Sequence, residues 1–171
     1  MTPIAGSWRT SPVSVADMFL DQDTFRGVVA AAPLISIDLI VENDEGELLL
    51  GLRKNRPAQD FWFVPGGRVL KNETLDDAFR RISRAELGSE LDRSVARFLG
   101  VYEHFYDDSV FGETPGTHYI VLAYHVKVNL QEAVLPILEH FSYRWIKAVS
   151  AMKDSGVHCY TRAYMKSFCR E

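Results

Sequence analysis

Cysteine is scarce: there are two, Cys159 and Cys169, both near the C-terminus. A disulfide-stapled scaffold or a cysteine-based zinc knuckle needs a ladder of spacings, so both are excluded. Positive charge is also in deficit. Nineteen lysines and arginines face 23 aspartates and glutamates, leaving a net charge of −4 with histidines neutral. A general nucleic-acid binder carries a basic face, so that partner class is excluded. A small anionic ligand is not, because a few arginines, backbone N–H groups or a metal can hold a phosphate locally. No run approaches the roughly 18–20 uninterrupted apolar residues of a membrane-spanning helix, so no membrane partner is expected. The opening run MTPIAGSWRTSPVSVADMF has no basic stretch followed by an apolar core. A secretory signal is therefore not expected, and the default location is cytoplasmic.

What is present is an ordinary globular balance, 47% hydrophobic and 25% charged over 171 residues, enough for one core. Residues 1–16 read as a flexible leader and 17–171 as a single domain. Met18 to Ala32 suits a short helix, with Asp21 and Asp23 near its start. Pro33 to Asn43 and Glu47 to Arg53 are β-prone runs separated by Asn43-Asp44-Glu45-Gly46, which predicts a hairpin. A short aromatic strand, Phe61 to Val64, stops at Pro65-Gly66-Gly67. Thr74 to Leu87 reads as a helix capped by Thr74 with Asp77 and ended by Gly88; its apolar stripe is Leu75, Phe79 and Ile82. Strands follow at Ala96–Tyr106, His118–Val128 and Tyr143–Lys147, and a terminal helix at Tyr160–Cys169. The expected class is α/β, layered, with a mixed sheet. His125 and His158 read as surface residues.

The informative run begins at Gly67, continues to Glu73, and after seven residues reaches Arg81, Glu86 and Gly88. Glu86 lies four residues after Ile82, on the apolar face, where a carboxylate is costly unless paired. A hard, oxygen-seeking cation such as Mg²⁺ is a suitable partner. Arg81 is placed to pair with Asp77 or to reach back to Glu73.

This run resembles the Nudix box, G-x5-E-x7-R-E-U-x-E-E-x-G-U. The resemblance implies an α/β/α sandwich whose box glutamates hold divalent metal beside a substrate linked through a nucleoside diphosphate. Two of the three clustered glutamates are missing, replaced by Ile82 and Ala85. Several carboxylates can assemble several metal ions around a pyrophosphate; one cannot. Within the superfamily, this defect resembles the atypical GDP-mannose mannosyl hydrolases. The likeness extends over Met18–Leu20, Asn55–Gln59, Phe61–Val69, Glu103–Asp108, Thr117–Tyr119 and Tyr143–Trp145. It implies hydrolysis of GDP-mannose and GDP-glucose by water attack at sugar C1, with inversion. One Mg²⁺ is expected per subunit, with Mn²⁺ able to substitute.

On that resemblance the metal ligands are the Gly67 carbonyl, Glu86 and Glu139, the last replacing a more usual glutamine. His140 is the general base, read here as a loop residue. Arg53, Arg68, Arg81 and Tyr119 face the diphosphate, and Asp38 the sugar. His104 is a further site residue. Phe19, Leu20 and Phe25 contribute to the nucleotide pocket of a homodimer. The competing expectations are attack at phosphorus, giving GMP and a sugar phosphate, and a non-catalytic nucleotide-sugar sensor.

Overall fold

The computed structural model describes residues 20–128, 130, 135–137 and 139–169. The leader at 1–16 and Phe19 lie outside the described residues.

The chain runs α1 (Gln22–Ala31), β1 (Leu34–Glu42), β2 (Leu48–Arg53), β3 (Trp62–Phe63), β4 (Gly66–Arg68), α2 (Leu75–Leu87), β5 (Arg97–Tyr106), β6 (Thr117–Lys127), β7 (His140–Ile146), α3 (Ala148–Lys153) and α4 (Cys159–Met165). The strands form one seven-stranded sheet in the order β3-β2-β1-β6-β5, with β4 paired to β1 and β7 to β2. β1 and β6 are parallel, and the other pairs are antiparallel. The sheet is therefore mixed, as expected.

β1 reads LISIDLIVE and is buried on both faces over most of its length, which is why its apolar residues are nearly continuous. Ile37, Leu39 and Val41 pack against Ala78, Phe79, Ile82 and Leu87 of α2. Ile40 of β1, Leu50 of β2 and Ala123 of β6 pack with Ala151, Tyr164 and Met165 of α3 and α4. These two cores make the α/β/α sandwich. α2 begins where the Thr74 hydroxyl accepts from the Asp77 N–H at 3.1 Å, and it ends at Gly88, whose φ of 68° is left-handed.

One edge of β1 is shared between two partners. Glu42 pairs with Leu48 of β2, whereas Ser36, Ile37 and Asp38 pair with Arg68, Gly67 and Gly66 of β4. β1 and β2 therefore separate toward the N-terminal end of β1, and the site lies beside that separation. Gly66 is required there, since a Cβ would stand 2.7 Å from both the Asp38 Oδ1 and the Ile37 carbonyl.

The predicted elements differ from the observed ones at β4, where Gly66 and Gly67 were read as a strand stop and instead pair with β1, and at the C-terminal end. The last strand starts at His140, three residues earlier than its pattern suggested, because pairing with β2 recruits it. The terminal helix stops at Met165 rather than Cys169. α3 had no sequence signal of its own, since AVSAMK is too short to show a period. His125 and His158 are not surface residues. His125 places Nε2 2.7 Å from Glu42 Oε2, and His158 lies among the rings of Phe61, Phe63 and Tyr160.

Candidate active site

A cavity of about 330 Å³ opens beside the β1–β4 pairing. Asp38, Arg53, Arg68, Arg81, Glu86, His104, Tyr119, Glu139, Gly67 and Phe25 all line it. These residues are spread over more than 100 positions, and the sheet brings them together. Two expected site residues do not line it: Leu20, which is exposed, and His140.

The arginines differ in how free they are. Arg81 donates from Nε and Nη2 to the two oxygens of Glu73 at 2.6 and 2.9 Å, and from Nη2 to the Arg68 carbonyl at 2.7 Å. Most of its fork braces the loop before α2. Arg81 thus pairs with Glu73, not Asp77, and Asp77 serves Arg80. Arg68 lies over the Phe25 ring, 3.9 Å from its centroid, and is half-buried. Burial lowers the pKa of its guanidinium. Arg53 donates from Nε to the Pro57 carbonyl at 2.9 Å and packs over Phe63.

Glu86 is the electrostatically exposed weakness of the site. Its side chain is 12% exposed; the His140 Nδ1 lies 3.8 Å away on a neutral ring, and Arg53 is the cation that partly offsets its charge. Burial first, and then the neighbouring Glu139, push its pKa up to about 7. Glu139 arrives from the strand β7 side: Lys54 N–H donates to the Glu139 carbonyl at 3.0 Å, and Asn55 Nδ2 donates to Glu139 Oε2 at 2.8 Å. Among the described residues, no three His, Cys, Asp or Glu side chains form a metal-holding cluster. Glu86 and Glu139 line the same cavity, and a pair of hard carboxylate ligands suits a cation such as Mg²⁺. An under-compensated pair of carboxylates is what such a cation would neutralise.

His140 is 1% exposed and packs flat against Gly51. A register shift between Gly51 and Arg53 sets His140 opposite Arg53. Its Nδ1 lies 3.0 Å from the Tyr143 hydroxyl, which itself donates to the Pro136 carbonyl at 2.7 Å. Tyr143 has one proton and has used it, so His140 Nδ1 carries the hydrogen and donates. Nε2 is left unprotonated, buried and without a partner among the described residues. Burial, then Arg53 and Lys54, lower the pKa to about 4, so the ring is neutral near pH 7.

Asp38 is 7% exposed, and burial raises its pKa to about 7 against the opposing effect of the Tyr164 hydrogen bond. His104 is buried, and desolvation lowers its pKa to about 4. Tyr119 is raised by burial, with Arg68 opposing.

The family model described as the NUDIX domain matches residues 32–163. The chain belongs to the Nudix family. A curated relative, the low-salt glycan biosynthesis protein Agl8 of Haloferax volcanii, is 44% identical over 110 residues, 64% of this chain and 69% of that protein. An ADP-ribose pyrophosphatase of Methanocaldococcus jannaschii is 39% identical over 70 residues, 41% of this chain and 40% of that one. The solved structure of a MutT protein from Methanosarcina mazei Go1 superposes with a TM-score of 0.61 at 22% identity, covering 80% of this chain and 93% of that chain. That likeness supports the fold.

In this Nudix domain the two missing box glutamates have different surroundings. Ile82 is 1% exposed and touches the position where a Cβ on Gly67 would stand, 3.2 Å away. Ala85 is exposed and lines a smaller cavity beside Glu86 and Glu139. Ile82→Glu is therefore expected to destabilise the metal-free protein by roughly 3 kcal/mol or more, an unpaired charge replacing core packing. Ala85→Glu is expected to cost under about 1 kcal/mol. Urea unfolding midpoints in a chelator check both.

The residues that the sequence reading missed are Tyr106, which lines the cavity, Gly51 and Tyr164. Tyr106 sits in the family-like run Glu103–Asp108 and could have been found there. Gly51 and Tyr164 carry no local signal, since each acts through a strand or helix distant in sequence.

Proposed function

We propose that this Nudix hydrolase converts GDP-mannose, and GDP-glucose, to GDP and free sugar, with water adding to sugar C1 and inverting it. The observation that carries this reading is the carboxylate inventory. Ile82 belongs to the core, Glu73 is held by Arg81, and Glu86 with Glu139 remains for one cation. One cation can neutralise a departing diphosphate but does not assemble a multi-metal centre for attack at phosphorus. The name of the Haloferax volcanii relative, which points to glycan biosynthesis, agrees with a sugar-nucleotide substrate.

Gly67, Glu86 and Glu139 would hold Mg²⁺, which supplies Lewis-acid stabilisation of the leaving group when bound. Arg53 and Arg68, with the remaining nitrogen of Arg81, offer donors to the diphosphate oxygens, and Tyr119 adds a hydroxyl. Asp38 opposes the positive charge that develops at C1. Arg53 and a bound cation both favour its ionised form. His140 takes the proton from water at Nε2, the nitrogen its bond to Tyr143 leaves free. Because His140 does not line the cavity, that step requires the ring to gain access to solvent. The same reading includes a homodimer in which Phe19, Leu20 and Phe25 border the nucleotide, and a cytoplasmic enzyme of one domain.

A second reading is attack at phosphorus, favoured by the local similarity to an ADP-ribose pyrophosphatase. Turnover of GDP-mannose with Mg²⁺ in ¹⁸O-labelled water separates them. Label is expected in free mannose. Label in a phosphate product overturns the proposal, and tight binding without turnover overturns it in favour of a sensor.

A further inference from the structure

We propose that Tyr164 is a positioning residue that locks Asp38 and His104, two groups lining the cavity, into a single donor–acceptor chain. The inference rests on the hydrolase reading for its kinetic consequence but on geometry for its structure. Tyr164 is fully buried on α4, and its hydroxyl meets residues of β1 and β5. Its hydroxyl donates to Asp38 Oδ2 at 2.7 Å, and its oxygen lies 3.1 Å from His104 Nε2. In its ionised form, which Arg53 favours, the Asp38 carboxylate only accepts, and a phenol has one proton. That proton is committed to Asp38, so the Tyr164 oxygen accepts from His104 Nε2–H. A neutral imidazole carries one proton, and His104 Nδ1 is thereby fixed as an acceptor.

The three members cannot easily rearrange. His104 stacks on Tyr160 at 4.0 Å with the rings 7° from parallel, and Tyr164 meets Tyr102 edge-on at 4.7 Å. Tyr160 is itself tied to the β5 backbone, accepting from the Phe105 N–H at 2.7 Å and donating to the Phe105 carbonyl at 2.8 Å. Tyr164 therefore does two things for a ligand it does not touch. It holds the Asp38 carboxylate against rotation, and it chooses the His104 tautomer. The cavity wall so formed presents a carboxylate and an imidazole acceptor, both suited to the hydroxyls of a sugar.

Tyr164→Phe keeps the ring and removes only the hydroxyl. In ¹⁵N-histidine NMR at about pH 8.5, where Asp38 is ionised, wild-type His104 is expected as the Nε2–H tautomer, and the variant as a mixture. With GDP-mannose, kcat is expected to fall by about 10- to 100-fold, as for displaced catalytic groups generally, while KM and inhibition by GDP change less than about twofold. An unchanged tautomer overturns the hydrogen-bonded chain, and an unchanged kcat overturns the positioning role. If the variant does not fold, the wild-type spectrum decides, since a protonated His104 Nδ1 overturns the proposal. If wild-type protein does not hydrolyse GDP-mannose, the hydrolase reading and the kinetic role of Tyr164 both fall, and the tautomer still decides the chain.

Discussion

Glu86→Gln is expected to weaken Mg²⁺ binding by at least about a hundredfold, because losing even an outer partner of a metal ligand costs 10- to 100-fold. Turnover should fall with it. The same substitution is expected to make the metal-free protein more stable at alkaline pH. Burial and Glu139 raise the Glu86 pKa from 4.5 to about 7. Between those values the folded protein keeps a proton that the unfolded chain has released. The advantage of the neutral carboxyl is complete below pH 4.5 and is lost as pH rises through about 7. At pH 8 the wild type therefore carries an uncompensated charge costing up to about 3 kcal/mol, which glutamine does not. Asp38, also raised to about 7, gives a slope of the same sign. His104 and His140, lowered to about 4, give the opposite slope below about pH 6.5. The His104 contribution is common to both proteins and drops out of the comparison, whereas Asp38 and His140 lie within electrostatic reach of Glu86 and add to the difference. Thermal unfolding in a chelator should show the variant more stable at pH 8 and level with wild type at pH 4.5. Saturating Mg²⁺ at pH 8 should reverse the order. An equal difference at both pH values would show that Glu86 is not held in a desolvated state.

Gly51→Ala is the second change with a large expected effect. The new Cβ would stand 2.2 Å from His140 Cδ2, 2.6 Å from Cγ and 2.8 Å from Nε2. Neither β2 nor β7 can absorb that without losing pairing at Tyr143 or Arg53. The expected cost is about 1–3 kcal/mol from overpacking. Turnover should drop by roughly 10²- to 10⁴-fold, as in His140→Gln, because the general base is displaced. The pair also makes a cycle. In Gly51→Ala with His140→Ala, the methyl has nothing to strike, so the stability loss of the double variant should be less than the sum of the single losses. Normal turnover in Gly51→Ala, beside a dead His140→Gln, would show that the imidazole position described here is not the working one.

These two tests divide along the boundary between what was legible in the chain and what was not. Glu86 could be named from one helix, because its spacing from Gly67 and Glu73 and its place beside Ile82 are local facts. The cap at Thr74, the stop at Gly88 and the hairpin turn at Asn43–Gly46 were equally local, and each formed as read. The absence of glutamate at positions 82 and 85 was also plain, and it restricts the metal chemistry before any fold is known.

His140 shows the other side. It read as a loop histidine, yet strand pairing with β2 buries it over a glycine 89 positions earlier. Arg81 read both as a residue facing the diphosphate and as a partner of Asp77 or Glu73; folding selects Glu73, adds the Arg68 carbonyl and so commits most of the guanidinium. Tyr164 fell within the predicted terminal helix with no role of its own, and packing of that helix makes it the partner of Asp38 on β1 and His104 on β5. The sequence by itself determined the chemical types available: one box carboxylate beside apolar neighbours, a set of arginines, and few cysteines. The tertiary structure decided which of those groups are free, which are spent on one another, and what their protonation states are. The reason is physical. Residue type and capping depend on neighbours within a turn or two, whereas desolvation and hydrogen-bond partnership depend on which strands and helices come to lie alongside.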